Sequence, residues 1–127
     1  ATQDFIREGV SARKLAYCPY SKFQVGAALL CSDGTVFTGC NVENASYGIS
    51  ICAERTAIVK AVSSGNKSYK AITVSADNGD TFVPPCGACR QFIAEFGLET
   101  VVYLAKPDLS KVLITSAKHL LPLSFKF

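Results

Sequence analysis

Residues 70–105, KAITVSADNGDTFVPPCGACRQFIAEFGLETVVYLA, decide the fold. KAITVSA (70–76) is a short apolar run with β-branched residues, which reads as a buried strand. DNGDTFVPP (77–85) is a turn-rich loop closed by two prolines. From about 87 to 96 the apolar residues recur at helical spacing, and Gly97 stops the helix. TVVYLA (100–105) is a strand again. This alternation predicts parallel strands joined by a helical crossover.

The pattern continues on both sides. A helix is predicted from about 51 to 64, ending at Ser63-Ser64-Gly65-Asn66. Before it, NVENASYGIS (41–50) is a polar loop in which Ser50 has the character of a helix cap. FQVGAALLC (23–31) and TVFTGC (35–40) flank Asp33-Gly34 and form a hairpin. Gly26 inside the first of these strands permits close approach of another backbone. Phe5, Ile6, Val10, Ala12 and Leu15 place an amphipathic helix from about 3 to 16, broken at Pro19. KVLI (111–114) reads as a fifth strand, and TSAKHLL (115–121) as a last short helix ended by Pro122. The expected fold is α/β: three layers, α-β-α, around a central mixed, mainly parallel five-stranded sheet. The whole chain, 1–127, reads as a single domain.

The 127 residues are 49% hydrophobic, which suits burial between subunits as well as within one. Thirteen basic residues against ten acidic give a net charge of +3, and the basic residues are scattered. No nucleic-acid footprint and no membrane partner is expected. Without a signal layout, the chain reads as soluble and cytoplasmic. Six cysteines in such a chain favour metal binding or chemistry over a disulfide framework.

Cys86-Gly-Ala-Cys89 alone fits a redox pair, half a zinc site or coincidence. A redox pair leaves Cys52 unexplained, whereas a zinc site uses all three. Thiolate is a preferred zinc ligand, and three protein ligands with an open fourth position mark a catalytic ion. No fourth ligand stands out. His119, the one histidine, reads as solvent-facing near the end of the last helix, and Cys18, Cys31 and Cys40 read as packing residues. Glu54, two positions after Cys52, can stand beside the open position without binding the metal; its alternative role is to favour the helix N-terminus. Three thiolates around Zn²⁺ carry net negative charge. The helix N-termini offset it, and Arg55 or Arg90 could donate hydrogen bonds to the sulfurs. Asn41 and Glu43, two apart in an extended stretch, point to one side and suit sugar hydroxyls.

GCNVENASYGISICAERTA, CPYSKFQVGAALL and PCGACRQ together closely resemble the cytidine deaminase family in its small homotetrameric form, and the likeness extends to LLPLSF. The resemblance implies one Zn²⁺ per chain on Cys52, Cys86 and Cys89, with Glu54 as the proton-transferring residue. It implies hydrolytic deamination of cytidine and deoxycytidine in pyrimidine salvage. It assigns Asn41 and Glu43 to the sugar, Phe23 to the pyrimidine face, and the Ala53 backbone to the base edge. It also implies pockets shared between subunits, with Ala45, Tyr47 and Phe125 reaching a neighbour's site and Tyr20 at that interface. Three alternatives stand beside this reading. One is a structural zinc module, which needs a fourth protein ligand and no Glu54. Another is a deaminase of a different aminopyrimidine nucleoside. The last is a polynucleotide deaminase, which needs a path for flanking phosphates.

Overall fold

The computed structural model describes residues 2–79 and 81–127. The elements in order are α1 (Thr2–Ala12) with a 3₁₀ turn (Arg13–Leu15), β1 (Val25–Cys31), β2 (Val36–Cys40), a 3₁₀ turn (Tyr47–Ile49), α2 (Ala53–Ser63), β3 (Tyr69–Ala76), α3 (Gly87–Glu95), β4 (Val101–Ala105), β5 (Val112–Ser116) and α4 (Ala117–Leu120). Each predicted element is present with ends shifted by a few residues. The loop 77–85 is described except at Asp80, which lies outside the described residues.

The sheet has five strands in the order β2-β1-β3-β4-β5. It is mixed, as expected, but not mainly parallel. Only β3 and β4 pair in parallel; β1 with β2, β1 with β3, and β4 with β5 are antiparallel. The reason lies in the strand order. The crossover through α2 does return β3 in the direction of β2, but it passes over β1, which stands between them and runs opposite to both. A hairpin strand has thus been inserted into what the chain order alone reads as consecutive parallel neighbours.

Side chains alternate across the sheet and sort into two apolar layers. Ala27, Leu29, Ile72, Val74 and Val102 face α2 and α3 and pack with Ala57, Ile58, Ala61 and Ile93. Ala28, Ala71 and Ala105 face the other way, against Phe5 and Ile6 of α1. The three-layer α-β-α arrangement follows. Full burial of Leu29, Ile58 or Ile72 contributes about 2 kcal/mol each to holding the layers together.

Two glycines set how closely the helices sit. A Cβ on Gly26 would lie 2.2 Å from the Gly9 carbonyl oxygen, so α1 rests directly on β1. A Cβ on Gly39 would lie 2.5 Å from the Ala53 oxygen and 2.6 Å from the Ala57 nitrogen, so the first turn of α2 rests directly on β2. The second contact places the start of α2, and therefore Cys52 and Glu54. Among the described residues no helix is long and apolar enough to cross a membrane.

Candidate active site

Cys52 is the N-cap of α2 and Cys86 the N-cap of α3, both in extended conformation. The cap of α2 is therefore not Ser50, whose hydroxyl instead accepts the Asn44 N–H at 3.0 Å and closes the loop. Main-chain bonds in both directions between Val42 and Ile51, at 2.9 and 2.8 Å, pin the base of that loop just ahead of Cys52. In α3 the Cys86 sulfur accepts the Cys89 N–H, the capping bond that brings the C-x-x-C together.

The two helix starts meet. The Cys52, Cys86 and Cys89 sulfurs all lie within 4.8 Å of one another, with Cys52–Cys86 at 3.9 Å and Cys86–Cys89 at 3.3 Å. Sulfurs around a tetrahedral zinc at its usual bond length stand about 3.8 Å apart, so the spacing fits the ion. None of the six cysteines is in a disulfide. Three sulfur donors at the starts of two helices, where unpaired N–H groups favour thiolate, are also the right chemistry for zinc. Neither Cys40 nor His119 joins them. Cys40 ends β2, and His119 is exposed with Nδ1 on the Ser116 hydroxyl at 2.9 Å.

The sulfurs differ in how readily they ionise. Hydrogen bonding from Cys89 and from Arg55 Nη2, the latter at 3.3 Å, holds the Cys52 thiol down to about 5. Cys89 is pushed up, chiefly because it donates that bond and is buried. Arg55 is held more firmly protonated by the Cys52 sulfur, while its buried Nε–H has no partner. Glu54 is 4% exposed, and burial raises its carboxyl to about 7, with the Cys52 charge adding to the shift. A carboxyl poised there can both take and give a proton near neutrality.

Of the two arginines that could reach the sulfurs, Arg90 bonds elsewhere. Its Nε donates to the Pro85 carbonyl and its Nη1 to the Leu120 carbonyl, both at 2.8 Å, so it secures the approach to α3 rather than a cysteine sulfur. Asn41 and Glu43 do point to one side, toward residues 20–25. The Asn41 amide donates to the Phe23 carbonyl at 2.8 Å and accepts the Val25 N–H at 2.9 Å. Glu43 accepts the N–H groups of Tyr20 and Ser21, each at 3.1 Å, and the Ser21 hydroxyl. These bonds, led by the Ser21 hydroxyl, hold its carboxyl below the usual range. Phe23 is half-buried just ahead of β1, and Ala53 is the first residue of α2, where helix geometry leaves N–H groups without an intrahelical partner. Ala45 and Tyr47 are exposed on the 41–51 loop, Tyr47 edge-on to Tyr20 at 6.0 Å. Phe125 is exposed in the C-terminal tail.

Sequence reasoning passed over Ser21, Gln91 and Lys106. Ser21 fixes Glu43, Gln91 binds the main chain of Phe125 at two points, and Lys106 holds the Gly79 and Thr81 carbonyls of the loop leading to Cys86. The available signal was placement: a polar residue next to a functional one, and a lone lysine ending an apolar strand.

Three thiols and a buried carboxylate, on two helices that cover one face of a mixed sheet, define the class of the zinc-dependent deaminases. The chain belongs to the cytidine and deoxycytidylate deaminase family, whose zinc-binding region matches residues 1–105. A probable cytidine deaminase of Dictyostelium discoideum is 56% identical over 112 residues, 88% of this chain and 75% of that protein. The cytidine deaminase of Sporosarcina psychrophila is 52% identical over 126 residues, 97% of this chain and 90% of that protein. The crystal structure of cytidine deaminase from Burkholderia pseudomallei matches with a TM-score of 0.93 at 45% identity, covering 98% of this chain and 99% of that one.

Proposed function

We propose that this chain is a zinc-dependent cytidine deaminase, converting cytidine and deoxycytidine to uridine and deoxyuridine with release of ammonia. The carrying observation is the buried Glu54 carboxyl, raised to about 7, two residues beyond a sulfur that converges with two others. Cys52, Cys86 and Cys89 hold one Zn²⁺ per chain. When bound, the ion supplies the Lewis acidity that makes water a nucleophile at neutral pH.

The chain's own residues do the rest. Glu54 takes a proton from the attacking water and gives it to N3 of the base, which makes C4 more electrophilic. As the C4–N bond breaks, Glu54 passes the second proton to the departing amine. Its burial keeps bulk water from competing for those protons. Arg55 offsets thiolate charge at Cys52. Arg90 acts one step back, through the main chain before α3. Phe23 packs on the pyrimidine, the Ala53 backbone meets the base edge, and Asn41 and Glu43 set the sugar. For the last two, the bonds to residues 20–25 mean that they also shape the strand start carrying Phe23.

The chain acts as a single domain in a cytoplasmic homotetramer within pyrimidine salvage. Ala45, Tyr47 and Phe125 complete pockets on neighbouring subunits, with Tyr20 beside Tyr47. Polynucleotides and membranes are not partners. The test is metal analysis with cytidine-dependent ammonia release. One zinc per chain with turnover of cytidine, and none of a cytosine oligonucleotide, is expected. A Glu54→Ala variant that keeps its zinc and still turns over at the parent rate sinks the mechanism.

A further inference from the structure

The last residues of the chain are held in an unusual way. Leu123 is fully exposed in a left-handed backbone conformation, φ 54°, which costs a branched residue steric strain. Phe125 and Phe127 touch edge-on but are 67% and 115% exposed. A cleft of about 640 Å³ opens beneath, between Leu98 and residues 121–124, so the segment is not packed down onto the body. Burial within its own chain therefore does not fix it. Hydrogen bonds from two adjacent residues of α3 do. Arg90 Nη1 donates to the Leu120 carbonyl at 2.8 Å, at the near end. At the far end Gln91 Nε2 donates to the Phe125 carbonyl at 2.9 Å, and Gln91 Oε1 accepts the Phe125 N–H at 3.2 Å. A primary amide engaging both polar groups of one residue's main chain fixes orientation as well as position. Cys89, Arg90 and Gln91 are consecutive: a thiol of the cluster, then two fasteners for the tail.

The geometry points to Gln91 as a positioning residue: its amide fixes the tail to α3, and so fixes the direction in which the Phe125 ring leaves its own chain for the neighbouring pocket. This rests on the proposal that Phe125 completes a substrate pocket. The role requires an amide. Met has similar length and no hydrogen bond, and Glu keeps the acceptor while setting a negative charge against the Phe125 carbonyl.

The experiment uses the zinc-loaded enzyme and the variants Gln91→Met, Gln91→Glu, Phe125→Ala and Gln91→Met/Phe125→Ala. Amide hydrogen exchange at Phe125 is expected to be slowed in the parent and to speed up about tenfold or more in Gln91→Met, with zinc content unchanged. KM for cytidine is expected to rise about fivefold to tenfold, with kcat changed less than twofold. Gln91→Glu is expected to fall between, and it replaces Gln91→Met should that variant not fold. The double variant is expected to match Phe125→Ala alone, because Gln91 acts only through that ring. Phe125 exchange that is equally fast in parent and variant overturns the tether. KM effects that add in the double variant overturn the positioning role. A Phe125→Ala enzyme with parental KM, combined with slowed exchange at Phe125, leaves the tether standing and removes the pocket reading of Phe125 on which its kinetic role depends.

Discussion

Glu54 is buried in the first turn of α2, within reach of the Cys52 and Cys89 sulfurs, with its carboxyl raised to about 7 by burial. The same burial carries a cost in stability whose sign can be worked out. Below its ordinary value of 4.5 the group is protonated in both folded and unfolded chains, and nothing is lost. As pH rises from 4.5 to about 7 the unfolded chain ionises first, so the folded state weakens; above 7 the loss is constant. In zinc-free protein Glu54→Gln should therefore match the parent near pH 4.5 and exceed it at pH 8 by about 3 kcal/mol. Urea unfolding at the two pH values reads this, and equal gains at both would contradict it. Arg55 makes the opposite kind of contribution. Arg55→Gln removes the donor 3.3 Å from the Cys52 sulfur. Alkylation of Cys52 in zinc-free protein should then move to higher pH, and zinc retention or kcat should fall about tenfold or more. Glu54 and Arg55 beside Cys52, and Cys86 beside Cys89, were legible in the sequence because each relation lies within one helix turn; the meeting of the two helix starts followed only from asking what would use all three thiols. The Arg90 partner was not, because Leu120 is brought beside α3 only by the fold.

At the scale of elements, the number, type and order of helices and strands followed from apolar periodicity, and the layering followed from them. Strand order did not. Periodicity reports which residues are buried, and β1 has the same buried face whether it stands at an edge or between β2 and β3. Gly26 carried part of the missing information, since a glycine there marks close packing without naming the partner, which is α1. The two close-packed glycines separate stability from function. Gly39→Ala drives a methyl into the Ala53 carbonyl and the Ala57 nitrogen, which only a shift of α2 can relieve. It should destabilise the protein by about 2–3 kcal/mol and lower zinc per folded chain, because Cys52 and Glu54 move with the helix. Gly26→Ala presses on α1, across the sheet from the thiols, and should cost comparable stability while zinc per folded chain stays at the parent level. Thermal unfolding together with metal analysis of the folded fraction distinguishes the two. Equal zinc loss in both variants would mean that α2 is not located by its contact with β2.

At the scale of the whole molecule, fourteen large hydrophobic side chains are exposed among the described residues, several of them gathered on and beside the 41–51 loop. Tyr47 and Ile49 are each about two-thirds exposed, and Tyr17, Tyr20 and Ile51 are exposed on the segments joined to them by the Tyr17–Val42 and Val42–Ile51 bridges. This surface is built rather than loose. Glu43 binds two N–H groups and the hydroxyl of the Tyr20-Ser21 turn, Tyr47 meets Tyr20 edge-on, and the Ser50 hydroxyl and the Asn44 amide oxygen close the loop from within. A preorganised apolar surface loses little entropy on association, so covering a residue the size of Ile49 stabilises an assembly by about 2 kcal/mol at each copy of the contact. The same loop closes directly onto Cys52, so whatever covers it also shields the site. If the chain assembles as the proposed homotetramer, Ile49→Asp should shift it from about four chain masses toward smaller species, since a carboxylate buried without a partner costs more than the contact contributes. Cytidine turnover should fall with that shift and recover as protein concentration is raised, while zinc per chain and the folded spectrum stay unchanged. Light scattering across a dilution series, with activity assayed at each concentration, makes the test. Parental mass and parental turnover in Ile49→Asp would place Ile49 outside the contacts that hold the assembly together.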